Sequence, residues 1–333
     1  PSNTILFNYI KPYLTIIKDR NTIDSLKKIS QYMTVPVDVG LNFHDSDFLI
    51  LDHSVNYIQK KKLEKKIYKP FLELSDEDRN KGESNLKKFG IPENSWYVTF
   101  HIREKNSFSY QSQKNKGDFF ENFRNGDPNS YIPAIKLITD SGGWVFRMGD
   151  KSMKQLPKLP NVIDYAHHEL RSDFLDIFLG ATSKFSVVSD SGFHIIPYLF
   201  GVPILYNNTA VYSRYFRLGE KDLFLPKLIK NLKNNKLLKF KDLFSFPAGY
   251  YTNDNRFKEN SLETINCTEE DIFDSVNEML EMNLNNFKSS NNKLQSELNN
   301  IAISSVYKSL NSTITPISKV SLKFLEKNQQ LLF

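Results

Sequence analysis

The chain has 333 residues, too many for one ordinary core, and suits two domains. Hydrophobic content of 40% with 25% charged residues is that of a soluble globular protein, no stretch approaches the ~18 apolar residues of a membrane span, and no signal peptide is visible. A net charge of +6 could serve nucleic acid, an anionic membrane surface or a phosphorylated substrate, while the single Cys267 excludes a disulfide framework or a cysteine metal site and fits a reducing cytoplasm.

Residues 5–17 read as a strand or short helix entering a loop at Pro12, and 21–33 has helical spacing through Ile23, Leu26, Ile29 and Tyr32. A short extended piece at 35–39 precedes a polar loop holding His44 and Asp45, then a helix expected over about 54–68. Its run Lys60-Lys-Lys-Leu-Glu-Lys-Lys66 is better explained as a solvated helix face than as an RNA site. A second helix spans about 75–89, with Ser75 as N-cap and Gly90 and Pro92 as stop. These first 94 residues are short for a nucleotide-fold domain, so the N-terminal lobe is expected to be trimmed, or its sheet to be completed by other parts of the chain.

From residue 95 the pattern changes. Residues 96–104 form the clearest strand, with Tyr97, Thr99, His101 and Arg103 on one face. A long polar loop at 105–130 is placed like a lid or acceptor loop, followed by a helix over 130–140. Gly142-Gly143 turns the chain into a strand at 144–148 that ends in Gly149-Asp150, and 161–165 is a third strand. After a helix at 173–181 comes the unit that organises the chain: an apolar strand at 185–188, the turn Ser189-Asp-Ser-Gly192, a helix over 193–200 stopped by Gly201 and Pro203, and a strand from Val202. Strands alternating with helices give a parallel, doubly wound α/β sheet. Ligands of such sheets lie beyond the carboxyl ends of the strands, and four polar clusters, 101–103, 147–150, 164–166 and 189–192, fall on that edge.

Further on, residues 206–216 are an aromatic, basic loop that is either structural or faces an acceptor or membrane. Residues 223–232 read as a helix, 242–248 carry a short element, and Thr268 caps a helix to about residue 281. The tail at 285–333 has two helical patches and no catalytic signature.

Arg103 at the end of a buried strand needs an anion, either a pyrophosphate held bidentately or a salt bridge to Glu104 or Asp150. His101 could hydrogen-bond a phosphate or a sheet neighbour. Ser189, Asp190 and Ser191, with the amides of Gly192 and Phe193, would hold the other phosphate side. The loop Asp164-Tyr165-Ala166 could read a base edge, with Tyr165 packed on the ring, or be a plain surface turn; Arg147 and Gly149 end the neighbouring strand. His194, one turn on, could donate to a diphosphate leaving group or pack in the core.

These segments, together with Arg124-Asn125, Tyr131-Ile-Pro-Ala-Ile135, Gly143-Trp-Val-Phe-Arg-Met-Gly-Asp150, Asn161-Val-Ile-Asp-Tyr-Ala166 and Phe200-Gly-Val-Pro203, resemble a family of bacterial glycosyltransferases of surface-polysaccharide assembly. The resemblance covers about residues 95–282, and the closing Ser321-Leu-Lys-Phe-Leu-Glu-Lys327 is similar too. It implies a GT-B fold of two Rossmann-like lobes with parallel sheets: 1–94 as the acceptor-side lobe, 95–282 as the nucleotide-sugar lobe and 283–333 as a helical tail packing back on the first. His101-Ile-Arg103 also resembles the donor motif of GDP-fucose-dependent fucosyltransferases, in which the arginine binds the diphosphate; the usual acidic partner is replaced here by Lys105-Asn-Ser. Ser189-Asp-Ser-Gly-x-x-His194 resembles the Asp-x-Gly-x-x-His turn of heptosyltransferases.

The activity so implied is metal-independent, needing no divalent ion or other cofactor: a sugar moves from a GDP- or UDP-sugar to a surface glycan or lipid-linked acceptor, with inversion, in the cytoplasm or at the inner face of the membrane and without nucleic acid. Its general base would be Glu104, Asp150, His44 or Asp45. A sugar-nucleotide epimerase of the same fold and a non-catalytic module that binds RNA or membrane are the alternatives.

Overall fold

The computed structural model describes residues 3–13, 19–22, 40–43, 47–104, 122–284, 292–305 and 315–333. Expectations for 23–39, for His44 and Asp45, and for the loop at 105–121 fall outside the described residues.

A parallel sheet of seven strands dominates: β1 (Tyr97–His101), β2 (Trp144–Arg147), β3 (Val162–Ile163), β4 (Ser186–Val188), β5 (Ile204–Thr209), β6 (Leu223–Pro226) and β7 (Lys319–Val320). Their spatial order is β7-β6-β5-β4-β1-β2-β3, so the first six follow the 3-2-1-4-5-6 order of a Rossmann-like fold. Mostly apolar strands produce it: Val98, Phe100, Val187, Val188, Leu205 and Phe224 are all fully buried, as strands covered on both faces require. The chain winds outward from β1 to β3, then returns to lay β4 against β1's other side. That reversal makes the carboxyl ends of β1 and β4 the switch point, where sheets of this kind place their ligand crevice.

Helices α1 (Leu51–Glu64), α2 (Asp76–Lys88), α3 (Ile132–Asp140), α4 (Asp173–Thr182), α5 (Ile195–Leu199) and α6 (Glu269–Leu284) surround the sheet, with α7 (Lys293–Ser304) and α8 (Leu322–Lys327) in the tail. One apolar core lies under α3 and α6, through Ile135, Ile138, Val276 and Met279. The other lies under α4, with Phe146, Leu175 and Phe178. Local capping sets the helix starts as expected: Ser75 Oγ accepts from Asp78 N at 3.1 Å and Thr268 Oγ1 from Asp271 N at 3.1 Å.

Three features differ from the sequence reading. Residues 223–232 are two strands, β6 and Leu228–Asn231, rather than a helix. Pro226 cannot donate within a helix, and the apolar run continues the sheet instead. Leu228–Asn231 joins Lys236–Leu237 and Leu262–Ile265 in a small antiparallel sheet. Second, the tail completes the large sheet through β7 on β6, while α8 packs against α6; its link to the N-terminal region runs through Thr315, whose carbonyl accepts from Asn56 Nδ2 at 2.8 Å. Third, the described part of the first 94 residues holds an antiparallel pair, Gly40–Phe43 with Asp47–Ile50, and no parallel sheet. Leu6, Leu72, Leu74 and Ile91 share the core under α4, so this region packs onto the Rossmann-like sheet.

Candidate active site

The turn after β4 and the end of β1 are tied together backbone to side chain. Ser189 N donates to the His101 carbonyl at 3.0 Å, Arg103 N donates to Ser189 Oγ at 2.7 Å, and Ser191 Oγ meets His101 Nδ1 at 3.0 Å. Arg103 and the Ser189–Gly192 turn, 86 positions apart at their closest bond, are therefore neighbours at the switch point. The His101 ring stacks on Phe193, centroids 5.5 Å apart. Burial pushes His101 down to about 4, and the Arg147 charge acts in the same direction, so the ring is neutral at pH 7.

The predicted single helix at 193–200 is instead a 3₁₀ turn, Gly192–His194, leading into the five-residue α5. So short a helix contributes little dipole, and the positive field of the site comes from side chains. Arg124, on the 3₁₀ turn Asn122–Arg124, donates from Nε to the Asp190 carbonyl at 2.7 Å and stands 3.6 Å from Asp190 Oδ2. Arg214, on the 3₁₀ helix Tyr212–Arg217, approaches Asp190 Oδ1 at 3.8 Å from another direction. Tyr206 donates to the same oxygen at 2.7 Å. Burial pushes the Asp190 carboxyl up, but Arg214, Arg124 and the Tyr206 hydroxyl outweigh it and hold the group well below the usual carboxylate range. Asp190 thus serves as the anchor on which two guanidinium groups are oriented.

Arg217 completes the group by donating from Nη1 to His194 Nε2 at 3.1 Å. An arginine only donates, so Nε2 is the accepting nitrogen and Nδ1 carries the proton it gives to the Ser191 carbonyl. Burial, then the Arg217 charge, pushes His194 down to about 3. The one proton of His194 is given to the Ser191 carbonyl and its other nitrogen accepts from Arg217, so the ring supports Arg217. Lys227, at the end of β6, is buried and pushed down to about 8; its Nζ donates to the Asn125 carbonyl at 2.7 Å, fixing the chain just after Arg124.

A second polar group lies beside the first and is closed on itself. Arg147 is fully buried, donates to Glu104 Oε1 and to the Lys154 carbonyl at 2.9 Å, and reaches Asp164 Oδ1 at 3.2 Å. Glu104 Oε2 accepts from Lys154 N at 3.0 Å, and Asp164 Oδ2 accepts from Leu156 N at 3.1 Å. Three residues expected at the site have protein partners of their own. Arg147 is already neutralised by two carboxylates, Asp164 holds the loop after β2, and Glu104 is an ion-pair partner and not a free base. Tyr165 and Ala166 are fully buried: the Tyr165 ring packs among Phe89 and Phe146 and its hydroxyl donates to the Ser172 carbonyl at 3.1 Å, so it offers no open face to a base.

Gly149 takes a φ of +144°, which suits glycine, and its carbonyl accepts from Arg171 Nε at 2.8 Å. Asp150 follows, half-buried, accepting from Ser152 N at 2.8 Å and close enough to act on the His101 ring. Glu104 and Asp150 are the described carboxylates predicted as a base, and of the two Asp150 is the half-buried one. The aromatic, basic segment is largely structural: Tyr212, Tyr215 and Phe216 are fully buried, while Tyr206 and Arg214 reach Asp190 and Arg217, just beyond it, reaches His194. Arg124, Arg214 and Arg217 were missed as site members, although the pair Arg214-x-x-Arg217 in an otherwise aromatic segment was a usable signal.

Comparison with protein-family models, with curated proteins and with solved structures finds no match in any of the three.

Proposed function

We propose that this chain is a metal-independent glycosyltransferase that uses a nucleoside-diphosphate sugar and acts on a bacterial surface glycan or lipid-linked acceptor. The observation that carries the reading is the gathering of the Arg124, Arg214 and Arg217 guanidinium groups around the turn after β4, to which the Arg103 backbone is also bonded, at the switch point of a Rossmann-like sheet. Guanidinium groups pair bidentately with phosphate oxygens, and the crevice at the strand ends is where such sheets place a nucleotide.

In this reading Arg103 and the open side of the Ser189–Gly192 turn hold the diphosphate. Arg124 and Arg214, steadied by Asp190, face the charge that grows on the departing nucleoside diphosphate, and stabilisation of that charge lowers the barrier. Arg217 is held in place by neutral His194. Asp150 is the described residue best placed to take the acceptor hydroxyl's proton, which would give inversion.

A thermal-shift panel of GDP, UDP, CMP and their sugars tests it. One nucleoside diphosphate should raise the melting temperature, and Arg103→Ala should remove most of the shift. A panel in which no nucleotide moves the transition overturns the reading.

A further inference from the structure

Among the described residues, an unusual surface is formed by the outer side of α1 and the turn that follows it. Tyr57 (38% exposed), Ile58 (48%), Ile67 (46%) and Tyr68 (74%) put four large apolar or aromatic side chains into solvent within twelve positions. Lysines interleave them: residues 57–69 contain Lys60, Lys61, Lys62, Lys65, Lys66 and Lys69 against the single acid Glu64, so six positive charges less one negative leave +5. Glu64 pairs with Lys61 at 2.7 Å, and Glu73, just beyond the stretch, pairs with Lys69 at 3.2 Å. Lys62 turns inward over the Phe71 ring and donates to the Lys69 carbonyl at 2.7 Å.

The other side of the same helix is fixed to the protein. Asn56 is fully buried and donates to the Phe216 carbonyl at 2.9 Å, within the segment that carries Arg214 and Arg217. The apolar side chains are therefore not the core face of a helix set down the wrong way. Single exposed hydrophobics are ordinary, but a cluster of them ringed by one sign of charge marks an interaction surface.

We propose that this face, Tyr57, Ile58, Ile67 and Tyr68 with Lys60, Lys61, Lys65 and Lys66, docks the protein on an anionic lipid bilayer. Charge complementarity selects that occupant: lysines near an anionic leaflet are attracted to it, tyrosine rings sit well at headgroup depth, and isoleucines enter the acyl boundary. The face would then set the protein on the bilayer with the arginine-bearing segment directly behind α1. The proposal stands on this surface alone and does not need the reaction proposed above.

Vesicle flotation of the full chain tests it, using phosphatidylcholine vesicles and vesicles in which about 30% of the lipid is phosphatidylglycerol. The protein should float with the anionic vesicles and not with the neutral ones, and raising salt from about 0.1 to about 0.5 M should release most of it. Ile58→Asn, Ile67→Asn and Tyr68→Ser combined should lower partitioning about tenfold at low salt, as should Lys60→Gln, Lys65→Gln and Lys66→Gln combined. Five of the six positions are exposed and Lys60 is half-buried, and an unchanged melting curve confirms folding. Flotation with neither vesicle, or flotation that both combined variants leave unaltered, overturns the proposal. So does a concentration-dependent dimer that the apolar variant abolishes, since the face would then meet a second copy.

Discussion

His194 Nε2 accepts a hydrogen bond from Arg217 Nη1 at 3.1 Å while its Nδ1–H donates to the Ser191 carbonyl. One side chain thus links the turn after β4 to the 3₁₀ helix that carries Arg214 and Arg217, and the link exists only while the ring is neutral.

The first consequence is spectroscopic. Nitrogen chemical shifts of His194 should report a single tautomer with the proton on Nδ1, unchanged between about pH 5 and 8, since its position has moved from the ordinary 6.5 to about 3. A ring that titrates near 6.5 contradicts the geometry.

Stability should follow pH through both buried histidines. His101 at about 4 and His194 at about 3 stay neutral in the folded chain, whereas in the unfolded chain they protonate near 6.5. The unfolded state therefore binds more protons below 6.5, and stability falls as pH drops from there toward about 4. Asp176 and Asp222, both raised to about 6 by burial, act the opposite way over much of the same range. Urea unfolding of the wild type and of His101→Gln/His194→Gln isolates the histidine part: the double variant should lose less stability on acidification. Parallel pH profiles would show that the rings already protonate in the folded state.

Arg147→Met should cost about 3–5 kcal/mol, because it leaves Glu104 and Asp164 buried or half-buried without their cation. Adding Glu104→Gln and Asp164→Asn should recover part of the loss in urea unfolding. Strictly additive losses would mean that the three groups are not coupled.

Much of the frame was legible in the sequence, and the residues show why. The alternating strand pattern at 96–104 and the largely apolar run at 185–188 read as strands once helices alternate with them, and Ser75 and Thr268 announce helix starts by local chemistry. The adjacency of Arg103 and Ser189 followed from doubly wound topology, which brings strand ends to one edge. Glu104 was misleading because it directly follows Arg103, yet it turns to Arg147 on the neighbouring strand. Arg124, Arg214 and Arg217 sit on 3₁₀ segments with no periodicity, and only packing brings them to Asp190 and His194. Two-residue β7 has too little pattern to be read at all.

Gly192 is exposed, and a Cβ there would meet nothing within 4 Å. Gly192→Val should therefore change stability by no more than about 0.5 kcal/mol while occupying the open side of the turn. Nucleotide-induced stabilisation should drop sharply in that variant. A full shift retained in Gly192→Val would place the diphosphate elsewhere.

The most direct measurement is calorimetric titration of the nucleoside diphosphate that gives the largest thermal shift into the wild type, Arg103→Ala, Arg214→Ala and the distant surface variant Lys323→Ala. The account predicts one site in the wild type, affinity lowered at least about tenfold by either arginine substitution, and no change for Lys323→Ala. Equal affinity in all four proteins, or no heat of binding from any nucleoside diphosphate, would contradict it.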